Sequence, residues 1–229
     1  MKLSVVMPVY NENATIREII DRVLAVPVDK EIVIVDDGSA DGTRDVLQAL
    51  PPEIVARGVR VFLHDRNQGK GAAVRTGLRE TRGDVVIIQD ADLEYDPNDY
   101  VPLLAALEAG KGDVIYGTRF HAGAKNFAGG HYWGNKMLTM FTNLLYGSRL
   151  TDMETCYKVL PGKVARSLTI RSDRFNLEPE ITARLLKRGL KIGEIPVSYQ
   201  GRGFDEGKKI SWRDGFAAVA ALIRYRFRD

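Results

Sequence analysis

A single cysteine, three histidines and no apolar run longer than the eight residues from Phe216 to Ile223 remove several classes of protein at once. One thiol, Cys156, forms no intramolecular disulfide, so a disulfide-framed secreted module is excluded and a reducing, cytoplasmic setting is expected. His64, His121 and His131 lack an HxxxH pairing, which leaves any metal to hard, oxygen-bearing ligands rather than to a zinc site. The eight-residue run is well short of the roughly 18 to 20 apolar residues that a bilayer span needs. The chain also opens without the charged head and apolar middle of a secretory signal, so neither export nor a transmembrane segment is expected. No linker, repeat or low-complexity stretch divides it, and one domain over residues 1–229 is the expectation.

What is present is ordinary globular material: 229 residues, 45% hydrophobic and 28% charged, with a formal net charge of +3. That small total hides an asymmetry. Residues 1–100 hold 12 basic and 18 acidic residues, or −6, and residues 101–229 hold 21 basic and 12 acidic, or +9. An acidic half suits a divalent cation and a basic half suits phosphates or an anionic surface. No basic run interleaved with aromatics is present, so nucleic acid is not an expected partner.

Periodicity sets the architecture. Lys2 to Val9 and Glu31 to Val35 read as buried strands, and between them Ile16, Ile19, Ile20, Val23 and Leu24 mark one helical face. The alternation continues with helices over 41–50, 70–82 and 100–108 and strands over 59–63, 84–89 and 114–116. Helices over 136–145 and 179–188, a strand over 192–198 and a final helix reaching Phe227 complete the reading. Phe120 to Gly134 reads as a glycine-rich functional loop, with 123–130 a candidate lid. Continuous apolar strands alternating with helices predict an α/β fold, with a mainly parallel sheet covered on both faces and ligands beyond the carboxyl ends of its strands.

The densest polar clusters fall at those ends. Asp90-Ala91-Asp92-Leu93-Glu94 follows a buried strand, and an extended chain would turn its three carboxylates to one side, as Mg²⁺ or Mn²⁺ prefers. Asp36-Asp37-Gly38-Ser39 reads either as a turn with Gly38 at positive φ or as a carboxylate for the donors of a nucleotide base. Asp65 to Gly77 places glycines, Lys70 and Arg75 at a helix start, which suits an anion, although the spacing is neither a Walker A nor a GxGxxG motif.

Four ordered motifs, PVYNE (Pro8 to Glu12), VDDGS (Val35 to Ser39), NQGKGAA (Asn67 to Ala73) and DADLE (Asp90 to Glu94), resemble family 2 glycosyltransferases of the GT-A fold. GTRF (Gly117 to Phe120), DMETCYK (Asp152 to Lys158), FNLEPEITARLLKRG (Phe175 to Gly189), VSYQGR (Val197 to Arg202) and EGKKISWRDG (Glu206 to Gly215) resemble the dolichol-phosphate mannose synthase branch. The resemblance implies a GT-A three-layer sandwich with a nucleotide-sugar and metal half, 1–118, and an acceptor half, 119–229. By that resemblance Pro8, Tyr10, Glu12, Asp37 and Lys70 line the nucleotide pocket, and Asp90, Asp92 and Glu94 hold Mg²⁺ or Mn²⁺ on the diphosphate. Arg119, Arg202, Lys208 and Lys209 meet the acceptor phosphate, and Asp152 and Glu154 stand on the acceptor side.

The implied reaction is inverting transfer of a sugar, GDP-mannose being the favoured donor, onto a polyprenyl phosphate. A phosphate monoester is already largely anionic near neutral pH and needs cationic positioning, whereas a hydroxyl acceptor needs a base. A same-fold transferase with Asp152 or Glu154 as that base is therefore the rival reading. A sugar-1-phosphate nucleotidylyltransferase would carry a glycine-rich loop where PVYNE stands, and a non-catalytic nucleotide-binding protein would bind without turnover. A lipid acceptor implies peripheral contact with an anionic membrane surface, towards which Arg224, Arg226 and Arg228 of the last helix are candidates.

Overall fold

The computed structural model describes residues 1–120, 129–174, 176–201 and 212–228. Its strands are β1 (Leu3–Val9), β2 (Lys30–Asp36), β3 (Val59–Leu63), β4 (Val85–Ile88), β5 (Val114–Thr118), β6 (Lys158–Pro161) and β7 (Ile192–Pro196), joined in one sheet of order β3-β2-β1-β4-β6-β5-β7. The helices among the described residues are α1 (Ile16–Ala25), α2 (Thr43–Gln48), α3 (Pro52–Ala56), α4 (Lys70–Glu80), α5 (Tyr100–Glu108), α6 (Gly129–Tyr146), α7 (Gly162–Arg166), α8 (Leu177–Lys187) and α9 (Trp212–Phe227).

All seven residues of β1 are buried, as a central strand covered on both faces requires. The helical face read at Ile16, Ile19, Ile20, Val23 and Leu24 is the buried face of α1. β1 runs parallel to β2 and β4, β2 to β3, and β5 to β7, so the mainly parallel sheet is as expected. Apolar side chains from Leu3 to Val197 form one principal core that crosses position 118.

Three elements depart from the sequence reading. β6 was not expected, and it runs antiparallel to both β4 and β5. Helix α6 begins at Gly129, so the glycine-rich stretch is already helical before Gly134. Helix α2 is six residues long, shorter than the 41–50 periodicity suggests, because Gly42 at φ 95° precedes it and Pro51 and Pro52 follow. The candidate lid 123–130 lies for the most part outside the described residues.

Candidate active site at the carboxyl ends of the strands

Topology alone gathers the chemistry. β4 returns to the far side of β1 from β2, which makes the gap between β1 and β4 the switch point at which ligands bind in open α/β sheets. Because β6 is antiparallel to its neighbours, its beginning lies where the others finish. The 152–158 segment therefore enters at the same end as Asp37, Asp90 and Arg119.

On the first side, the loops after β1 and β2 are bound together. The Asn11 amide donates to Ser39 Oγ at 2.9 Å, Asn11 Oδ1 accepts from the Ala40 amide at 2.9 Å, and the Glu12 amide donates to Thr43 Oγ1 at 2.9 Å. Asn11 holds φ 55°, a left-handed conformation that asparagine tolerates better than most residues. Pro8 is buried in β1 opposite Val35, Tyr10 stands half-open at the surface, and Glu12 Oε2 accepts from Thr15 Oγ1 at 2.9 Å.

Asp37 is buried, and its carboxylate accepts from the Gly69 amide at 2.7 Å, the Gln68 amide at 3.0 Å and His64 Nδ1 at 2.7 Å. His64 is itself anchored through Nε2 to Thr76 Oγ1 at 3.0 Å. The carboxylate, read from sequence either as part of a turn or as an acceptor for a nucleotide base, braces the 64–69 loop with its own oxygens. The helix start at Lys70 also differs from the expected anion cradle. The Gly71 and Ala72 amides donate to the Asp173 carbonyl at 2.8 and 3.3 Å, so a neighbouring segment of this chain takes those donors. Glycine is needed here for close approach: a Cβ on Gly71 would lie 2.0 Å from the Ser172 carbonyl oxygen.

The three carboxylates after β4 do not follow one another on an extended chain. The chain turns at 91–93, with Leu93 at φ 62°, so the extended alternation that would align them is broken. Asp90 faces Lys70, whose Nζ lies 2.8 Å from Oδ1 and 3.5 Å from Glu178 Oε1. Burial opposes the lysine charge, but Asp90 and Glu178 outweigh it and hold Lys70 well above its usual range. Asp92 Oδ1 accepts from the Glu94 amide at 3.2 Å, and Glu94 Oε2 accepts from Tyr199 Oη at 2.8 Å. Among the described residues no cluster of three or more His, Cys, Asp or Glu side chains is gathered as a metal cage. Two hard carboxylates, Asp90 and Asp92, still fit the Mg²⁺ pattern of one or two protein oxygens completed by substrate phosphates.

On the second side, Arg119 and Asp152 form a bidentate buried pair. Nε donates to Oδ2 at 2.7 Å and Nη2 to Oδ1 at 2.8 Å, and the Arg119 amide also donates to Oδ2 at 3.0 Å. The Arg119 guanidinium packs over the Tyr199 ring at 5.1 Å. Asp152 is thereby occupied as an acceptor, whereas Glu154 Oε1 is sealed from solvent without a hydrogen-bond partner among the described residues. Burial first, then the nearby Glu178 charge, pushes the Glu154 carboxyl up to about 7. Lys158 is fully buried, donates to Glu178 Oε2 and to the Thr155 carbonyl, and lies 4.8 Å from the Tyr116 ring centre. Arg202, Lys208 and Lys209 lie outside the described residues.

His64, Lys158, Glu178 and Tyr199 are the participants that sequence reasoning assigned no role. Three sit inside motifs already singled out, and His64 directly follows β3 as Asp37 follows β2. Cys156, also within a motif, is buried, and burial raises its thiol well above the usual range. Its backbone does not take positive φ.

Comparisons with known proteins agree with this arrangement. The chain is 29% identical over 228 residues to the low-salt glycan biosynthesis hexosyltransferase of Haloferax volcanii, covering 96% of this chain and 53% of that protein. It is 35% identical over 154 residues to the undecaprenyl-phosphate 4-deoxy-4-formamido-L-arabinose transferase of Pseudomonas fluorescens, covering 66% of this chain and 44% of that one. The chain spans between 44% and 62% of the length of the curated relatives it matches. In fold it is similar to mannosyl-3-phosphoglycerate synthase from Rubrobacter xylanophilus, with a TM-score of 0.74 at 24% identity over 98% of this chain and 72% of the other. Glucosyl-3-phosphoglycerate synthase from Mycobacterium tuberculosis, solved with Mn²⁺ and UDP, gives a TM-score of 0.73 at 21% identity over 100% and 81%. These likenesses place the α/β sheet in the GT-A fold. Residues 4–167, which carry PVYNE, the Asp37 brace, Asp90 and Asp92 and the Arg119–Asp152 pair, match the model for glycosyl transferase family 2, and the chain belongs to that family.

Proposed function

We propose that this chain transfers a hexosyl group from a nucleotide sugar to a polyprenyl phosphate with inversion at the anomeric carbon, using Mg²⁺ or Mn²⁺. One observation carries the reading: the β1–β4 switch point is flanked by the Tyr10–Asn13 and Asp90–Glu94 loops, and the Arg119–Asp152 pair is delivered to the same end of the sheet. Relatives named for undecaprenyl-phosphate sugar transfer support the acceptor class. The Mn²⁺ and UDP in a protein of the same fold support a metal and a nucleotide sugar. GDP-mannose is the donor favoured by the motifs of the second half.

In this reading Tyr10 and Glu12 border the nucleotide and Asp37 braces the loop that closes on it. Asp90 and Asp92 would hold the metal, which as a Lewis acid neutralises charge on the departing diphosphate. Lys70, with Nζ 2.8 Å from Oδ1, orients Asp90. A phosphate oxygen of the acceptor attacks the anomeric carbon as the bond to the diphosphate breaks. Arg119, fixed by Asp152, together with Arg202, Lys208 and Lys209, supplies the positive field that positions this dianion.

The hydroxyl-acceptor reading keeps one specific support, the Glu154 carboxyl with an unpartnered oxygen and a pKa near neutrality. Purified protein with Mn²⁺, a short polyprenyl phosphate and separate GDP-mannose, UDP-glucose, UDP-GlcNAc and UDP-galactose donors decides between them. A glycosyl phospholipid detected by mass spectrometry from one donor is the expected outcome. Nucleotide release without lipid product moves the acceptor to a hydroxyl, and binding without turnover of any donor overturns the enzyme reading.

A further inference from the structure

The residues that follow β7 reach across the site to the loop that follows β4. The Val197 amide donates to the Thr118 carbonyl at 3.1 Å and the Ser198 amide to Asp99 Oδ2 at 2.6 Å, so the chain leaves the sheet on a fixed course. Tyr199 then pairs with Tyr95 in an isolated antiparallel bridge, and the Gln200 amide donates to the Glu94 carbonyl at 2.8 Å. The two tyrosine rings meet edge to face at 5.2 Å, and Tyr95 is itself buried, its Oη accepting from the Cys156 amide at 3.0 Å. Backbone and core thus fix the point from which the Tyr199 side chain starts.

That side chain does two different things. Its ring lies under the Arg119 guanidinium, 5.1 Å from Cζ to the ring centre, while Asp152 takes Nε and Nη2 along one edge. Edge and face are independent restraints, since the carboxylate sets the rotation of the planar group and the ring opposes its tilt. The Tyr199 hydroxyl donates to Glu94 Oε2 at 2.8 Å, one residue beyond Leu93 with its φ of 62°. A leucine in the left-handed region is strained and persists there only where its surroundings over-determine it. The 199–200 segment supplies that restraint by holding Glu94 through both its side chain and its carbonyl. The Glu94 amide in turn donates to Asp92 Oδ1 at 3.2 Å, so what holds Glu94 also orients Asp92.

We infer that Tyr199 is a positioning residue for both sides of the transfer: its ring sets Arg119 for the acceptor phosphate, and its hydroxyl sets the Asp92–Glu94 turn for the metal and diphosphate. One rigid side chain then fixes the spacing of two groups that must meet in the reaction. Phenylalanine keeps the first duty and loses the second, and leucine loses both, so the two are separable. The inference rests on the proposed reaction for the identity of the two ligands, and its test reads each side without turnover.

The test uses the full chain as Tyr199→Phe and Tyr199→Leu. In the metal-free protein, Tyr199→Phe should speed amide exchange at Glu94 and Gln200 about tenfold or more, as loss of a hydrogen bond to a charged acceptor requires. By calorimetry the same variant should bind Mn²⁺ with GDP or UDP about threefold to tenfold more weakly, while a short polyprenyl phosphate titrated alone stays within about twofold. Tyr199→Leu should weaken the polyprenyl phosphate as well, by about threefold to tenfold. In a Glu94→Ala background, Tyr199→Phe should have no further effect on nucleotide affinity. Exchange and nucleotide affinity in Tyr199→Phe within about twofold of wild type overturn the inference. So does an equal loss of nucleotide and phosphate affinity in both variants, the pattern of a tyrosine that only supports the fold. Transfer from the four nucleotide sugars is measured separately: a wild type that transfers nothing refutes the proposed reaction, while exchange and calorimetry still decide for or against Tyr199.

Discussion

Burial raises the Glu154 carboxyl from its ordinary 4.5 to about 7, and the sign of the consequence follows from linkage. Between those values the folded chain holds a proton that the unfolded chain has released, so this residue's contribution is complete below pH 4.5 and is lost as pH rises to about 7. The full shift corresponds to about 3 kcal/mol, and partial exposure of the residue reduces the expected figure to about 2 kcal/mol. Glu154→Gln removes the ionisation. Relative to wild type, the variant should gain several degrees of melting temperature between pH 5 and pH 8; a difference that stays constant across that range would contradict a carboxyl with one oxygen buried and unpartnered. Asp92 acts differently, since its expected role is realised only with metal and diphosphate bound. Asp92→Asn should lower Mn²⁺-dependent turnover by about 100-fold or more while the melting temperature of the metal-free protein moves little. Turnover within twofold of wild type would remove Asp92 from the site.

Two glycines in helices show how an element's surroundings decide the sign of one substitution. Gly71 in α4 lies under the Ser172 and Asp173 carbonyls, where a Cβ would meet backbone at 2.0 Å, and its amide donates to Asp173. Gly71→Ala should cost about 2–3 kcal/mol in urea unfolding and speed amide exchange over 170–174. Gly134 in α6 has nothing within 4 Å of the same added atom, so Gly134→Ala should stabilise by about 0.5–1 kcal/mol. Equal effects at the two positions would refute the docked segment. The same contrast explains what sequence could tell. β1 to β5 and α1 were readable because continuous apolar runs and a 3.6-residue period are local signals. The four residues of β6 were not, since Lys158 and Pro161 interrupt the apolar pattern and only pairing with β4 and β5 makes them a strand. At the site, Asp37, Lys70 and Asp90 were readable within polar clusters at strand ends, and Arg119 through the family resemblance of its motif. Their partners His64, Glu178 and Tyr199 were not, nor was the pairing of Asp152 with Arg119, because each contact joins residues at least 20 positions apart.

At the scale of the whole molecule, the acidic first half and the basic second half share one principal core, and the seam between them runs through the sheet. β6 supplies the second neighbour of β4, and Gln89 Oε1 accepts from both Tyr100 Oη at 2.5 Å and Tyr157 Oη at 2.6 Å. The principal core joins Leu3 and Val86 to Leu177, Ile181 and Leu185. A mechanism that opened the site by swinging one half from the other would have to break this seam. A fragment of residues 1–118 would expose the β4 edge, with its buried row Val85–Ile88, as an unpaired template for other chains. It should therefore lack a sigmoidal urea transition and should associate at micromolar concentration, whereas the full chain should lose β-sheet circular dichroism and tyrosine fluorescence in coincident transitions. A monomeric 1–118 fragment that unfolds cooperatively at the midpoint of the full chain would show instead that the nucleotide side stands alone, and that relative motion of the two halves is available to catalysis.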